Sequence, residues 1–225
     1  GPLEPTMRLG SDAAATLAVN GAPLAVTLPA GRNGRYSFSG SAGQRLGLGI
    51  SAMTFTPTGG YATVTVIAPD NVTALASCGY IYAAGANCNL PPLPATGTYT
   101  VAVDPQGTYA VGVTLSLSTD ITGTLTRNGA AVVFNTARAG QNGRYAFNAT
   151  AGQNLSVFWS GATIPGNNVL AIYKPDGSAL SYGSATFGSP SYVDGALDVA
   201  NLPASGAYNL LVDPVGTGQV SLKLM

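Results

Sequence analysis

The side chains that could carry out catalysis are few in this sequence, and histidine is absent from them. The 225 residues include nine Asp and Glu, nine Lys and Arg, and no His. Without histidine the chain cannot build a Ser-His-Asp or Cys-His nucleophile system, or a histidine-ligated metal site. The carboxylates are the next candidates for metal or acid–base chemistry.

Six aspartates recur as pairs at matching places in the two halves of the chain. The pairs are Asp12 and Asp120, Asp70 and Asp176, and Asp104 and Asp213. Calcium requires about six to eight oxygen ligands, and no local Asp/Asn cluster supplies enough carboxylates. We therefore expect turn and capping roles for these residues, and neither a metal nor a cofactor. Paired catalytic carboxylates, as in a glycosidase, are the alternative.

Two arginines, Arg35 and Arg144, also recur at matching positions, although only 8% of the residues are charged. They could contact a ligand, or they could pair with a repeated acid, for which Asp104 and Asp213 are the candidates. Recurrence in both halves favours the structural role, because ligand sites diverge faster than folds.

Cys78 and Cys88 are the two cysteines, and both lie in the first half. Two thiols are too few for a structural zinc site. The sequence predicts a disulfide that closes one loop, which implies an oxidising compartment; two free thiols are the alternative.

The composition limits the possible partners. The formal net charge is zero, whereas nucleic-acid binding requires a basic surface. No run of about 18 apolar residues is present, so no membrane span is expected. The 30 Gly and 15 Pro, with abundant Thr, Ser and Val, favour short strands joined by turns.

An internal repeat organises the chain. The stretch 93–105, Leu-Pro-Ala-Thr-Gly-Thr-Tyr-Thr-Val-Ala-Val-Asp-Pro, returns 109 residues later as 202–214, and eight of the 13 positions are identical. The repeat predicts two modules, residues 8–118 and 119–225, joined without a flexible linker. Residues 1–7 begin with Gly-Pro-Leu and are interpreted as the scar of a cleaved tag plus linker, on a piece of a longer protein.

The residue patterns predict strands throughout. Leu46, Leu48 and Ile50 alternate with small residues, as on a half-buried strand, and Trp159 is the counterpart of Ile50 and should be buried. Residues 14–19 and 23–28 flank Asn20-Gly21, which predicts a β-hairpin. About eight short strands per module favour a β-sandwich.

Tyr99 and Tyr208 occupy matching places in the repeated stretch. Each follows a Gly-x pair at the start of a strand, as in the tyrosine corner of Greek-key sandwiches, where the hydroxyl binds upstream backbone. The alternative is that both are simply large core residues.

The motif order resembles that of bacterial pre-peptidase C-terminal domains. It comprises Tyr-x-Phe, Ala-Gly-Gln, an alternating strand, Pro-Asp and Leu-Pro-Ala-x-Gly-x-Tyr-x-x-x-Val-Asp-Pro, and it covers both modules. The resemblance implies two tandem jelly-roll-like antiparallel β-sandwiches, non-catalytic and attached to secreted enzymes or surface proteins, including those with Rhs/YD repeats. Some relatives bind collagen, polysaccharide or calcium, but their acidic calcium cluster is not recognisable here.

Exposed aromatic residues are the candidate ligand contacts. Alternation places Phe158 and Tyr173 outward, and they would share one outer sheet face if their strands are neighbours. The variable loops add five further aromatic candidates: Tyr182, Phe187, Tyr192, Tyr80 and Tyr82. Such a surface suits sugar rings or a protein partner, and the alternative is that it packs on module 1 or a neighbouring domain.

The sequence thus predicts a non-catalytic tandem β-sandwich that positions, tethers or targets a larger secreted or cell-surface bacterial protein. The alternative is a carbohydrate-binding or adhesive module with its own site on an outer sheet face. Expected partners are the flanking domains and a possible polysaccharide or surface protein, with no nucleic acid, and the chain is expected to be a monomer.

Overall fold

The computed structural model describes residues 11–225, which form 18 β-strands and no helix. The expectation of a tag scar at residues 1–7 lies outside the described residues. Module 1 contains β1 (Ala13–Thr16), β2 (Leu24–Leu28), β3 (Gly34–Gly40), β4 (Leu46–Thr56), β5 (Ala62–Ile67), β6 (Ala74–Ile81), β7 (Ala86–Asn89), β8 (Gly97–Pro105) and β9 (Ala110–Thr119). Module 2 contains β10 (Ile121–Thr124), β11 (Val132–Thr136), β12 (Gly143–Ala149), β13 (Leu155–Ser160), β14 (Asn168–Tyr173), β15 (Ala179–Phe187), β16 (Gly195–Val199), β17 (Gly206–Asp213) and β18 (Gly218–Leu224).

Each module is a sandwich of two sheets with the same strand order. Module 1 pairs a five-stranded sheet, β1-β3-β8-β5-β6, with a four-stranded sheet, β2-β9-β4-β7. Module 2 repeats this as β10-β12-β17-β14-β15 and β11-β18-β13-β16. Without β1, the other eight strands follow the jelly-roll order, in which successive strands alternate between the two sheets over most of the chain. The predicted all-β fold of two tandem sandwiches is confirmed.

The predicted hairpin at Asn20-Gly21 is wrong. β1 pairs with β3 in parallel, whereas β2 pairs with β9 in the opposite sheet. A type I′ hairpin turn requires positive φ at both central residues, but here only Asn20 has it, at 58°. The Gly21 amide bonds the Ala18 carbonyl, and this turn carries the chain across from one sheet to the other.

The two modules have separate hydrophobic cores, lined by the residues that alternation placed inward. Leu46, Leu48 and Ile50 are buried, and so is Trp159, whose indole N–H donates to the Tyr192 carbonyl oxygen at 3.1 Å. The predicted disulfide between Cys78 and Cys88 is confirmed; it joins β6, at the edge of one sheet, to β7, at the edge of the other.

Both interpretations of the repeated tyrosines hold at once. Tyr99 and Tyr208 are fully buried. The Tyr99 hydroxyl also donates to the Ala95 carbonyl oxygen at 2.6 Å, and the Tyr208 hydroxyl donates to that of Ala204 at 2.8 Å. The tyrosine corner therefore ties the Leu-Pro-Ala turn to the core of each module.

Replacing Tyr208 with Phe should lower the free energy of unfolding of module 2 by about 1–3 kcal/mol, because the Ala204 carbonyl would lose its buried donor. Equilibrium unfolding followed by fluorescence of the single Trp159 reports on this module directly. Tyr192→Phe is the control, since Tyr192 is exposed and should change stability by less than about 0.5 kcal/mol. Equal stability of both variants would contradict the tyrosine-corner role.

Replacing Trp159 with Ala should cost about 3–5 kcal/mol, because it removes a buried indole and leaves a cavity. Phe158→Ala is the matched control, since the neighbouring ring is 45% exposed. Melting followed by circular dichroism compares the two variants. A melting temperature of Trp159→Ala close to that of the wild type would contradict the burial.

Candidate functional site

The two modules meet through a direct contact between backbones. The loop between β11 and β12 lies on the outer face of β4, at Gly47 and Gly49. A Cβ atom at Gly47 would lie 1.8 Å from the Gly140 carbonyl oxygen, and one at Gly49 would lie 2.3 Å from that of Ala139. No side chain fits at either position, so glycine is required for this approach.

The same contact explains why the first half of β4 is buried on both faces. Its residues 46–50 are all buried, whereas the matching strand β13 alternates between buried and more exposed positions. Phe158 replaces Gly49 in β13 and Ser156 replaces Gly47. The outer face of β13 is therefore open, beside a groove of 410 Å³ that Arg127, Ser156 and Asp198 help to line.

Hydrogen bonds fix the contact on both sides of the glycines. The Arg138 guanidinium donates to the carbonyl oxygens of Asn20 and Gly21 at 2.6 and 2.5 Å. The Ser116 hydroxyl donates to the Ala139 carbonyl at 2.9 Å. Arginine is suited to this position because its planar fork binds two carbonyl groups together.

A second set of hydrogen bonds joins β7 to module 2. The Asn142 amide donates to the Asn89 side-chain oxygen at 2.6 Å, and the Asn89 amide donates to the Asp213 carboxylate at 2.8 Å. Asn87 donates to the Pro214 carbonyl at 2.5 Å. We call these contacts, together with the glycine contact and Arg138, the junction.

Asp213 is the carboxylate at the junction. Burial raises its pKa above the usual range for aspartate; the Asn89 hydrogen bond and the positive charge of Arg144 oppose this rise, and the negative charge of Asp120 adds to it. The junction therefore contains an acid whose ionisation weakens the folded state.

The stability of the junction should depend on pH through Asp213. Because the folded-state pKa of Asp213 is raised, the native state keeps the proton to higher pH than the unfolded chain does. The free energy of unfolding therefore decreases as pH rises from the pKa of Asp213 in the unfolded chain to its pKa in the folded state. Asp213→Asn removes the titration and keeps an acceptor for Asn89. The free energy of unfolding of this variant, relative to wild type, should increase from acidic to neutral pH.

Urea unfolding at several pH values tests this dependence. Asn89→Ala removes the donor that opposes the pKa rise, so its stability should fall more steeply with pH than that of the wild type. Parallel pH profiles for wild type and Asp213→Asn would contradict the expectation.

The predicted acid partners of the repeated arginines are wrong. Arg35 pairs with Asp12 at 2.8 Å and Arg144 with Asp120 at 2.5 Å, instead of with Asp104 and Asp213. The parallel pairing of β1 with β3 and of β10 with β12 brings each aspartate beside its arginine. The structural role of the arginines is thus supported with different partners.

Phe158 and Tyr173 do not share a face. Phe158 lies on β13 and Tyr173 on β14, and these strands belong to opposite sheets of module 2. Tyr173 is half-buried, and its ring lies 5.8 Å from the Arg144 guanidinium carbon, a cation–π contact.

The other aromatic candidates separate into three groups. Phe187 is fully buried in the module 2 core, so its assignment to a ligand surface is wrong. Tyr182 and Tyr192 are about half exposed, at 49% and 51%. Tyr80 and Tyr82 are 67% and 56% exposed and lie together on module 1.

Sequence reasoning missed Tyr61, which completes a group with Tyr80 and Tyr82. The Tyr61 ring centroid lies 5.1 Å from that of Tyr80, edge to face, and 5.7 Å from that of Tyr82. We call these three residues the tyrosine cluster. Aligning β5 with β14 places Asn167 at the position of Tyr61. This difference marks Tyr61 as specific to module 1, and it is the signal that could have identified the residue from the sequence.

A shallow groove lies beside the tyrosine cluster on the outer face of the five-stranded sheet. Its volume is 260 Å³. Thr63 on β5 is paired with Tyr80 on one side and with Asp104 on the other. We call this the threonine groove; its polar lining is Asn33, Arg35, Thr63, Thr65 and Asp104.

In residues 11–225, no three His, Cys, Asp or Glu side chains come together in a way that suits a metal ion. Over the same residues, no helix has the length and apolarity needed to cross a membrane.

Comparison with known proteins leaves the family open. No family profile and no curated protein matches the chain. Among solved structures, the CUB1-EGF-CUB2 domain of human MASP-1/3 is similar at 7% identity, over 91% of this chain and 100% of that chain, with a TM-score of 0.27. This likeness is too weak to carry a function to the chain.

Proposed function

We propose that the chain is a non-catalytic segment of a larger secreted or cell-surface protein, and that its two sandwiches form a stiff arm that positions or tethers the flanking domains. The observation that carries this proposal is the junction. Only Asp120 separates β9 from β10, so no flexible linker lies between the modules.

The character of the junction supports stiffness. Domains that share a chain move relative to each other by default, unless their interface prevents it. Here the backbones touch at glycines, and hydrogen bonds from Arg138, Asn87, Asn89 and Asn142 surround that contact. Rotation of one module would break several of these bonds at once.

The disulfide supports the location outside the cytoplasm. The Cys78–Cys88 bond joins two edge strands of module 1, and such bonds persist in oxidising compartments. A carbohydrate-binding or adhesive module is the second candidate function, and the exposed tyrosine cluster favours it.

The stiff arm predicts that both modules tumble as one body. Residual dipolar couplings of the isotope-labelled chain should fit a single alignment tensor. The double substitution Gly47→Ser, Gly49→Phe places the module 2 residues in module 1. The added side chains should push the loop off β4, so that fitting the couplings requires two alignment tensors while each module stays folded.

Phe158→Gly is the matched control, because it changes the equivalent position on the open face of module 2 and should leave the single tensor unchanged. Two tensors for the wild-type chain would overturn the stiff-arm function. A single tensor for the Gly47→Ser, Gly49→Phe variant would show that the glycine contact does not hold the junction.

A further inference from the structure

The tyrosine cluster is pre-arranged and open to solvent. Tyr61 is half-buried and holds the rings of Tyr80 and Tyr82 by edge-to-face and tilted contacts. Tyr80 and Tyr82 remain largely exposed despite these contacts. The rings are thus accessible and already held in place, so they need little reordering to receive a ligand.

Module 2 shows that the fold does not require these tyrosines. The same backbone positions in module 2 hold Asn167, Thr186 and Gly188, in strands that pair in the same way. By contrast, the neighbouring core position is apolar in both modules, as Ile81 and Phe187. A packing role would be expected to recur with the fold, so three aromatic residues in one module only indicate a task specific to that module.

The threonine groove supplies polar groups next to the cluster. Among the described residues, Asp104 makes no side-chain hydrogen bond or ion pair, whereas its counterpart Asp213 accepts a hydrogen bond at the junction. Thr63 is paired with Tyr80 on one side and with Asp104 on the other, and its short polar side chain leaves room above the sheet between them. Aromatic faces and unpaired polar groups therefore lie side by side.

Charge and composition limit the occupant. Arg35 is the cation that lines the groove, and it is paired with Asp12, while Asp104 adds a negative charge. An anionic polymer is therefore disfavoured. The rest of the polar lining, Asn33, Thr63 and Thr65, is neutral, and the three aromatic residues carry hydroxyls. Uncharged hydroxyl and amide groups match the uncharged hydroxyls of a sugar chain as hydrogen-bond donors and acceptors.

We infer that the tyrosine cluster and the threonine groove together bind a neutral polysaccharide. The apolar face of a pyranose ring stacks on Tyr80 or Tyr82, and the hydroxyls of the neighbouring sugar bind Asp104 and Thr63. This inference rests on the second candidate function and is independent of the stiff arm.

Retention of the whole chain on neutral polysaccharides tests the site. The probes are cellulose, xylan, mannan, starch and chitin, with albumin-coated beads as the reference for non-specific adhesion. We expect retention on at least one polysaccharide and none on albumin. Failure on all five polysaccharides, or equal retention on albumin, would overturn the inference.

Substitutions place the binding on module 1. Tyr61→Asn with Tyr80→Thr installs the module 2 residues, which this fold accommodates, and should weaken binding about tenfold or more. Tyr182→Thr removes an exposed tyrosine from module 2 and should change nothing. Unchanged binding of the double variant, or loss of binding in Tyr182→Thr, would overturn the site.

Two further variants keep the test decisive if the double variant fails to fold, as judged by circular dichroism. Tyr80→Thr and Asp104→Asn each alter one exposed side chain, and each should weaken retention while the melting temperature stays unchanged. Full retention by both would overturn the inference. A loss of binding together with a single alignment tensor would leave the stiff-arm function intact.

Discussion

The close approach of two backbones at Gly47 and Gly49 is the constraint on which the arrangement of the two modules depends. Because the loop carrying Gly140 lies directly on β4, the side chains of Ser116 and Asn142 are buried at this contact. Each donates a hydrogen bond to the opposite module, Ser116 to the Ala139 carbonyl and Asn142 to the Asn89 side-chain oxygen. Buried polar groups of this kind specify one arrangement, since a shifted module would leave them unpaired.

The chain uses one scaffold in two ways, and the differences follow from what each copy contacts. Asp213 is drawn into the junction, whereas the matching Asp104 remains in an open groove. Gly49 accepts a loop, whereas the matching Phe158 is 45% exposed. Positions with the same role stay alike, as in the two tyrosine corners. Internal repeats therefore separate residues that the fold requires from residues that serve one module.

The fold could be predicted from the sequence more fully than the candidate site. Alternation identified the inward positions of β4 and the burial of Trp159, because one face of each strand must reach a core. Alternation does not tell to which sheet a strand belongs. Phe158 and Tyr173 would share a face only if β13 and β14 were neighbours. In this jelly roll the two strands lie in opposite sheets, so the two side chains lie on different faces. The parallel pairing of β1 with β3 could likewise not be predicted from the sequence pattern, because only non-local contacts determine it.

The junction also determines which surfaces of the pair remain available. It covers the outer face of β4 in module 1 and draws in the end of β17, at Asp213, in module 2. The open surfaces are therefore unlike: the five-stranded sheet of module 1 presents the tyrosine cluster, and the four-stranded sheet of module 2 presents Phe158. The proposed stiff arm would hold these surfaces in a fixed relation. A ligand bound at the tyrosine cluster would then keep a defined orientation to module 2, which free modules could not achieve.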